Sequence, residues 1–91
     1  MEFRASHILV KERPLAEQLL KRVKQGANFS ELAKDYSLCP SKSKGGDLGW
    51  FKEGTMAPAF EAEVKRISVG SIGKIVATQF GFHIIKKSGS R

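Results

Sequence analysis

The sequence predicts an α+β fold in which helices pack on an antiparallel sheet. Strand-like alternation starts at residue 3, and two strand-like runs near the end cover Ile72 to Ala77 and Phe82 to Lys87. A short strand is predicted near residues 47 to 51, and apolar residues elsewhere recur at helical spacing. Strands at the start, middle and end of a chain with helices between them are typical of this class.

The first predicted strand covers residues 3 to 11 and has a histidine in its middle. Side chains alternate between the two faces of a strand, so His7 shares a face with apolar residues: Phe3, Ala5 and Leu9. The other face carries Arg4, Ser6, Ile8 and Val10.

A helical hairpin is predicted after this strand. Pro14 suits a first helical turn and Gly26 a helix end, with an apolar stripe between them formed by Leu15, Leu19, Leu20 and Val23. Asn28 followed by Glu31 predicts a capped second helix. Its expected inner stripe is Phe29, Leu32, Ala33 and Tyr36.

A third helix is predicted after Pro58. Phe60, Val64 and Ile67 have the spacing of one helix face, and Pro58 suits the first turn. A turn around Gly70 leads into the last two strands, which we expect to join at Gln79, Phe80 and Gly81.

Length and composition predict one domain, residues 1 to 91, with one core. The only cysteine, Cys39, has no second cysteine with which to form an internal disulfide. The apolar run near the N-terminus is too short for a signal-peptide core or a membrane span. We therefore expect a soluble, cytoplasmic protein without membrane contact.

The formal net charge of +7 raises the question of polyanion binding. The basic residues are dispersed along the chain and are not interleaved with aromatic residues that would stack on bases. A solvated basic surface is the preferred interpretation. Weak, salt-sensitive binding to polyanions is the alternative.

The two histidines, His7 and His83, both lie in the middle of predicted strands before branched aliphatic residues. If the first and last strands form the central pair of the sheet, the two imidazoles can meet across it. A paired neutral imidazole uses one donor and one acceptor and leaves an end free for a hydroxyl or thiol. The alternative is that each is a satisfied core histidine without a role.

Cys39 lies before Pro40 in a polar loop, and three interpretations stay open from its surroundings alone. A metal site with the histidines lacks any CxxC or HxxxH pair. A thiolate nucleophile would gain from Lys42 and Lys44, but a hydrolase of this length is unusual. An inert small residue would more naturally occupy a helix stripe.

Four motifs in this order resemble the parvulin family of peptidyl-prolyl cis/trans isomerases in its minimal single-domain form. They are SHILVK, SLCPSKSKGGDLGWF, GTMAPAF and TQFGFHIIKK, and the resemblance covers about residues 3 to 87. It implies a four-stranded antiparallel sheet surrounded by helices, which is a parvulin-like member of the FKBP-like superfold.

The resemblance also implies a set of site residues. His7 and His83 would form the floor of the active site beside Thr78, with Cys39 facing them. The substrate proline would enter a pocket lined by Leu48, Met56, Phe60 and Phe80. Met56 and Phe60 are expected to be partly exposed in the free protein.

The implied function is isomerisation of X-Pro bonds in unfolded or flexible polypeptides, without a cofactor or metal. Only Lys11 to Arg13 separate the first strand from Pro14, where phospho-specific parvulins carry a long basic loop, so a phosphorylated substrate is not expected. Ala57 after Met56 offers no side-chain hydrogen bond to a substrate. The partners expected are proline-containing polypeptides, and the protein is expected to be a monomer. The alternative is a proline-peptide-binding chaperone module in which catalysis is incidental.

Overall fold

The computed structural model describes residues 1–91 and contains four strands, three α-helices and one short 3₁₀ helix. The strands are β1 (Glu2–Val10), β2 (Asp47–Lys52), β3 (Val76–Thr78) and β4 (Gly81–Ser90). The α-helices are α1 (Arg13–Lys24), α2 (Phe29–Tyr36) and α3 (Pro58–Arg66), and the 3₁₀ helix covers Pro40–Lys44. No helix is long and apolar enough to span a membrane.

The strands form one antiparallel sheet in the order β2-β1-β4-β3. The first and last strands are therefore the central pair, and the predicted α+β fold with a four-stranded antiparallel sheet is confirmed. In the register of this pair, His7 lies opposite Ile85 and Leu9 lies opposite His83. The two histidines are thus diagonal neighbours on one face of the sheet.

The sheet divides the buried apolar side chains into two clusters, where the sequence predicted one core. The α3 face holds Phe3, Ala5, Phe51, Phe60, Val64, Ile67, Val76 and Ile85. The face covered by α1 and α2 holds Ile8, Val10, Ala16, Leu19, Phe29, Leu32, Ala33 and Ile84. Strand alternation explains the division, because neighbouring residues of β1 and β4 point to opposite faces.

Two predicted details of the helices have different outcomes. Asn28 caps α2 as predicted, because its side-chain oxygen accepts the backbone N–H of Glu31 at 3.0 Å. Tyr36 is not part of the inner stripe. It is the last residue of this short helix, is 39% exposed and accepts a hydrogen bond from Arg22 at 3.5 Å.

The predicted strand from Ile72 to Ala77 is mostly wrong, because regular pairing covers only Val76–Thr78. Ile72 forms an isolated bridge with Lys86, and the Gly73 N–H still donates to Ile85. At Lys74 the backbone N–H instead donates to the buried carboxylate of Glu63 at 2.8 Å. This side-chain acceptor interrupts the strand, as polar side chains that compete for backbone groups do.

Helix α3 is held over the sheet by two buried polar side chains. Glu63 accepts from Arg66 at 2.8 and 2.6 Å and from the Lys74 backbone. At the helix end, the buried Lys87 ammonium donates to the carbonyl of Ile67 at 3.0 Å, which satisfies a carbonyl that the helix leaves unpaired. These contacts fix the position of Phe60, which projects from α3 toward the sheet.

Candidate active site

A cavity of about 250 Å³ lies between α3, the central strands and the loop that follows α2. Every site residue predicted from the sequence lines it: His7, Cys39, Leu48, Met56, Phe60, Thr78, Phe80 and His83. Two further residues, Leu9 and Ala57, complete the wall. The structure therefore brings the predicted residues together, while their individual roles stay predictions.

The two histidines form the polar floor of this cavity. His7 Nδ1 and His83 Nδ1 are 2.9 Å apart, and the rings stack with their centroids 5.1 Å apart and their planes at 18°. Both side chains are buried. The diagonal register of β1 and β4 places the rings side by side, so the predicted meeting of the histidines is confirmed.

A chain of hydrogen bonds extends from this pair to the turn between β3 and β4. His83 Nε2 lies 2.7 Å from Thr78 Oγ1, which also accepts the Phe80 N–H at 3.2 Å. One proton arrangement gives each of these groups a partner: Thr78 donates to His83 Nε2, and His83 Nδ1–H donates to His7 Nδ1. His7 Nε2 then carries a hydrogen.

His7 Nε2 is the end of this chain and has no hydrogen-bond partner, although it is buried. Buried polar atoms are nearly always paired, so such an atom in a cavity wall calls for an explanation. A substrate carbonyl oxygen is a chemically suitable acceptor for this N–H. The floor can thus donate one hydrogen bond without carrying a net charge.

Burial keeps the imidazoles neutral. Burial, together with a smaller contribution from the nearby His83, lowers the pKa of His7 from 6.5 to about 4. Burial also lowers the pKa of His83 below its ordinary value. Desolvation favours the uncharged form of a base, so neither ring is protonated at pH 7.

Phe60 covers both histidine rings. Its ring is nearly perpendicular to them, at 81°, with centroid distances of 5.6 Å to His7 and 5.4 Å to His83. It is only 3% exposed and belongs to the core cluster of the α3 face. The expectation that Phe60 is partly exposed is therefore wrong, because α3 packs it against the imidazoles. Met56 is half-buried, as expected, and packs against the same cluster.

Cys39 is half-buried and is held in place by its backbone. The hydroxyl oxygen of the buried Ser37 accepts the Cys39 N–H at 3.4 Å and the Leu9 N–H at 3.0 Å. The Leu38 N–H also donates to the Leu9 carbonyl at 2.8 Å. These bonds fix the Cys39 loop to β1, two residues from His7.

The role of Ser37 does not follow from the sequence. A serine at the end of a helix usually faces solvent, and nothing in its local pattern distinguishes this one, which is 1% exposed. Ser37 joins the Cys39 loop to β1 only because β1 approaches it in the folded protein. Leu9 could have been inferred, because strand alternation places it on the same face as His7.

A glycine brings the loop against the histidine strand. Gly46 has a positive φ of 87°, and its carbonyl accepts the His7 N–H at 2.9 Å. A Cβ at this position would clash with the His7 carbonyl oxygen. The close approach therefore needs a residue without a side chain.

No cluster of His, Cys, Asp and Glu side chains in the structure has the arrangement of a metal site. Both Nδ1 atoms of the histidine pair are bonded to each other, which leaves a single unpartnered imidazole nitrogen. The chemistry available is apolar contact, a neutral N–H donor, a hydroxyl and a thiol.

Comparisons with known proteins match this arrangement. The family model described as the PPIC-type PPIASE domain matches residues 2–91. The chain belongs to the parvulin family of peptidyl-prolyl cis/trans isomerases. The whole parvulin fold, from the first residue of β1 to the end of β4, lies within the matched region.

Relatives of this parvulin domain include longer proteins. It is 48% identical over 91 residues to the foldase protein PrsA of Bacillus subtilis, of which it spans 31%. The crystal structure of PrsA from Bacillus anthracis superposes with a TM-score of 0.97 at 44% identity, covering 99% of this chain and 42% of that one. The chain therefore spans about a third of the length of these PrsA proteins.

A relative of similar size is also known. The solution structure of NmPin, the parvulin of Nitrosopumilus maritimus, superposes with a TM-score of 0.85 at 36% identity. The alignment covers 97% of this chain and 96% of that one. The parvulin fold thus also occurs with little added sequence.

Proposed function

We propose that this parvulin domain catalyses the cis/trans isomerisation of X-Pro bonds in unfolded or flexible polypeptides. The observation that carries the proposal is the apolar cavity whose floor is the neutral, hydrogen-bonded pair of His7 and His83. An apolar wall suits a pyrrolidine ring, and a neutral polar floor suits an uncharged imide. The natural role that follows is assistance to protein folding, because X-Pro isomerisation is slow enough to limit it.

The reaction needs no bond to break. Rotation about an X-Pro bond opposes resonance between the nitrogen lone pair and the carbonyl, with a barrier near 18–20 kcal/mol for peptide bonds. A twisted imide lacks this resonance and has a less polar carbonyl and a more basic nitrogen. A cavity that excludes water therefore favours the twisted form, and about 1.4 kcal/mol gives each tenfold increase in rate.

Each wall of the cavity has a proposed task. Leu48, Met56 and Phe60 hold the proline ring by apolar contact, and Phe80 at the rim contacts the chain beside it. The unpartnered His7 N–H can donate to the imide nitrogen, which becomes a stronger acceptor as the bond twists, and Thr78 fixes the tautomer of His83. Cys39 supplies a polarisable group on the opposite wall and forms no covalent intermediate.

We propose that the substrate carries no phosphate. Only Lys11 and Glu12 separate β1 from α1, so this connection cannot form a basic clamp beside the cavity. Exchange NMR on matched Ser-Pro peptides with and without a phosphate tests this. The unphosphorylated peptide should exchange at least as fast at equal enzyme concentration. A strong preference for the phosphorylated peptide would contradict the proposal.

A peptide-binding chaperone role is the second candidate. Two large apolar side chains near the cavity, Leu38 and Phe80, are each 56% exposed, which suits contact with unfolded chains. The two functions separate in a Thr78→Val variant, because this change breaks the polar chain and preserves the apolar wall. Isomerisation should fall while binding of unfolded protein persists. Binding of unfolded protein by both the parent and the variant, with no isomerisation by either, would favour the chaperone role alone.

We also propose that the protein acts as a monomer on proline-containing polypeptides and needs no cofactor.

Weak binding to polyanions is proposed for the depression lined by Arg4, Lys44 and Lys86, where Asp47 neutralises Arg4 at 2.6 Å. Elution of the protein from a heparin column at low salt would fit weak polyanion binding.

A cytoplasmic location stays a prediction from the single cysteine, and cell fractionation tests it.

A further inference from the structure

A second cavity, of about 390 Å³, lies between α3 and β3. We name it the α3–β3 groove. Its walls are small or aliphatic: Ala59, Ala62, Ile75, Val76 and Ala77. Three charged residues, Glu63, Arg66 and Lys74, complete its lining.

The groove and the prolyl cavity are lined by neighbouring residues of the same two elements. Ala57, Phe60 and Thr78 line the prolyl cavity, while Ala59 and Ala77 line the groove. The strand β3 is at the edge of the sheet, so its outer side has no strand partner. Such an edge can accept backbone hydrogen bonds from an extended peptide. A polypeptide with its proline in the first cavity can therefore enter the groove.

Arg66 and Lys74 form a basic rim at one end of the groove, because the Arg66 guanidinium and the Lys74 backbone N–H both donate to Glu63. Helix α3 rises about 9 Å between Phe60 and Arg66, at roughly 1.5 Å per residue. An extended chain covers that distance in about three residues. The rim is therefore reached by a side chain about three residues from the proline.

The charges at the rim favour an acidic side chain. Glu63 is buried and is neutralised by the Arg66 guanidinium at 2.6 Å. It also receives the Lys74 backbone N–H, whereas the Lys74 ammonium forms no salt bridge and is exposed. The three charged groups therefore leave one uncompensated positive charge beside an apolar floor.

We propose that the α3–β3 groove is an extended substrate subsite that binds the polypeptide flanking the proline and prefers an acidic residue about three positions from it. The inference rests on the proposed isomerase function. Small side chains of the substrate contact the alanines that line the groove, and the carboxylate of the acidic substrate residue pairs with the Lys74 ammonium. The groove thus makes the isomerisation rate depend on the residues that flank the proline, although it does not contact the rotating X-Pro bond.

Exchange NMR on five peptides tests the subsite. The first is a blocked tetrapeptide that fills only the prolyl cavity. The other four are longer peptides with either Glu or Lys about three residues from the proline, on its N-terminal or its C-terminal side. The Glu peptide should show a kcat/KM about threefold higher than the Lys peptide, as expected for one exposed ion pair. The preference should shrink at high salt.

Three variants test whether this preference belongs to the groove. Lys74→Glu should remove or reverse it and leave the tetrapeptide rate unchanged. Lys24→Glu alters the net charge equally but lies in the last turn of α1, outside the groove, and should retain it. Ala62→Phe narrows the groove on an exposed helix position and should slow only the longer peptides.

The outcomes separate the two proposals. If the tetrapeptide is isomerised normally and the wild type does not distinguish the Glu from the Lys peptides, the subsite is overturned and the isomerase function stands. An equal effect of Lys24→Glu and Lys74→Glu would also overturn the subsite, since net charge would explain the preference. If the tetrapeptide is not isomerised at all, the proposed function itself fails.

Discussion

The two faces of the sheet are built from the same strands but differ in how completely they are covered. The α1 and α2 face is closed by two helices over an aliphatic surface that includes Ile8 and Ile84. The α3 face is covered by one nine-residue helix, and the uncovered area beside it is the candidate site. On the α3 face, His7 of β1 and His83 of β4 lie side by side. One face therefore serves stability alone, and the other combines stability with an opening for substrate.

Truncations on the two faces should separate these roles with the largest effects. Leu19→Ala removes a buried side chain from the closed face and should lower the free energy of unfolding by about 2–5 kcal/mol. Phe60→Ala should cost a similar amount, about 3–5 kcal/mol, because Phe60 is equally buried. Urea melts measure both losses.

The two variants should differ in activity per folded molecule. Leu19→Ala should keep the rate of the parent in exchange NMR, since it lies across the sheet from the cavity. Phe60→Ala should lose activity as well as stability, since its ring covers both histidines. Equal retention of activity in the two variants would mean that the faces do not differ in function.

Acid should weaken the α3 face first. The lowered pKa values of His7 and His83 mean that the folded state binds fewer protons than the unfolded state between pH 6.5 and about 4. Stability therefore rises with pH across this window and is lost as the pH falls through it. Between pH 8 and pH 5, His7 alone should cost about 2 kcal/mol.

Urea melts at several pH values test this dependence. In the His7→Gln variant the loss of stability between pH 7 and pH 5 should be smaller than in the parent. Carboxylates with lowered pKa values, such as Glu63, change the stability mainly below pH 5, because the ordinary pKa of this carboxyl group is already 4.5. An unchanged slope in His7→Gln would contradict buried, neutral imidazoles.

Substitutions of Cys39 should have smaller effects on stability and sharpen the mechanism. Because the backbone of Cys39 makes the bonds to Ser37, side-chain changes should cost less than about 1 kcal/mol. Cys39→Asp should keep substantial isomerase activity, while Cys39→Ala should lose more, since the position supplies polarity. Equal inactivity of both, or a trapped thiol adduct in the mass spectrum, would contradict a non-covalent mechanism.

The features that followed from local pattern were predicted well. Strand alternation places His7 and His83 on faces that can meet, and the prolines and Asn28 mark helix starts. The cavity lining was reached through family motifs, because Met56 and Leu48 come from separate elements whose approach no local pattern encodes.

The features that depend on tertiary contacts were not predicted. The diagonal register of the histidines depends on the pairing of β1 with β4, which come from opposite ends of the chain. The short β3 depends on the Glu63 carboxylate reaching across to Lys74. The burial of Ser37 depends on the approach of β1. In each case a contact between distant segments, which no local pattern encodes, decides the structure.

Met56→Ala gives the most direct test of the central claim that the opening in the α3 face is a prolyl isomerase site. Met56 is half-buried at the cavity wall before α3 begins, so its truncation should lower the free energy of unfolding by no more than about 1.5 kcal/mol. Paired urea melts and exchange NMR on an unphosphorylated X-Pro peptide provide the measurement. We expect a folded protein whose kcat/KM falls by about tenfold or more, a loss of about 1.4 kcal/mol or more in transition-state stabilisation. A Met56→Ala protein that is badly destabilised yet fully active per folded molecule would contradict it.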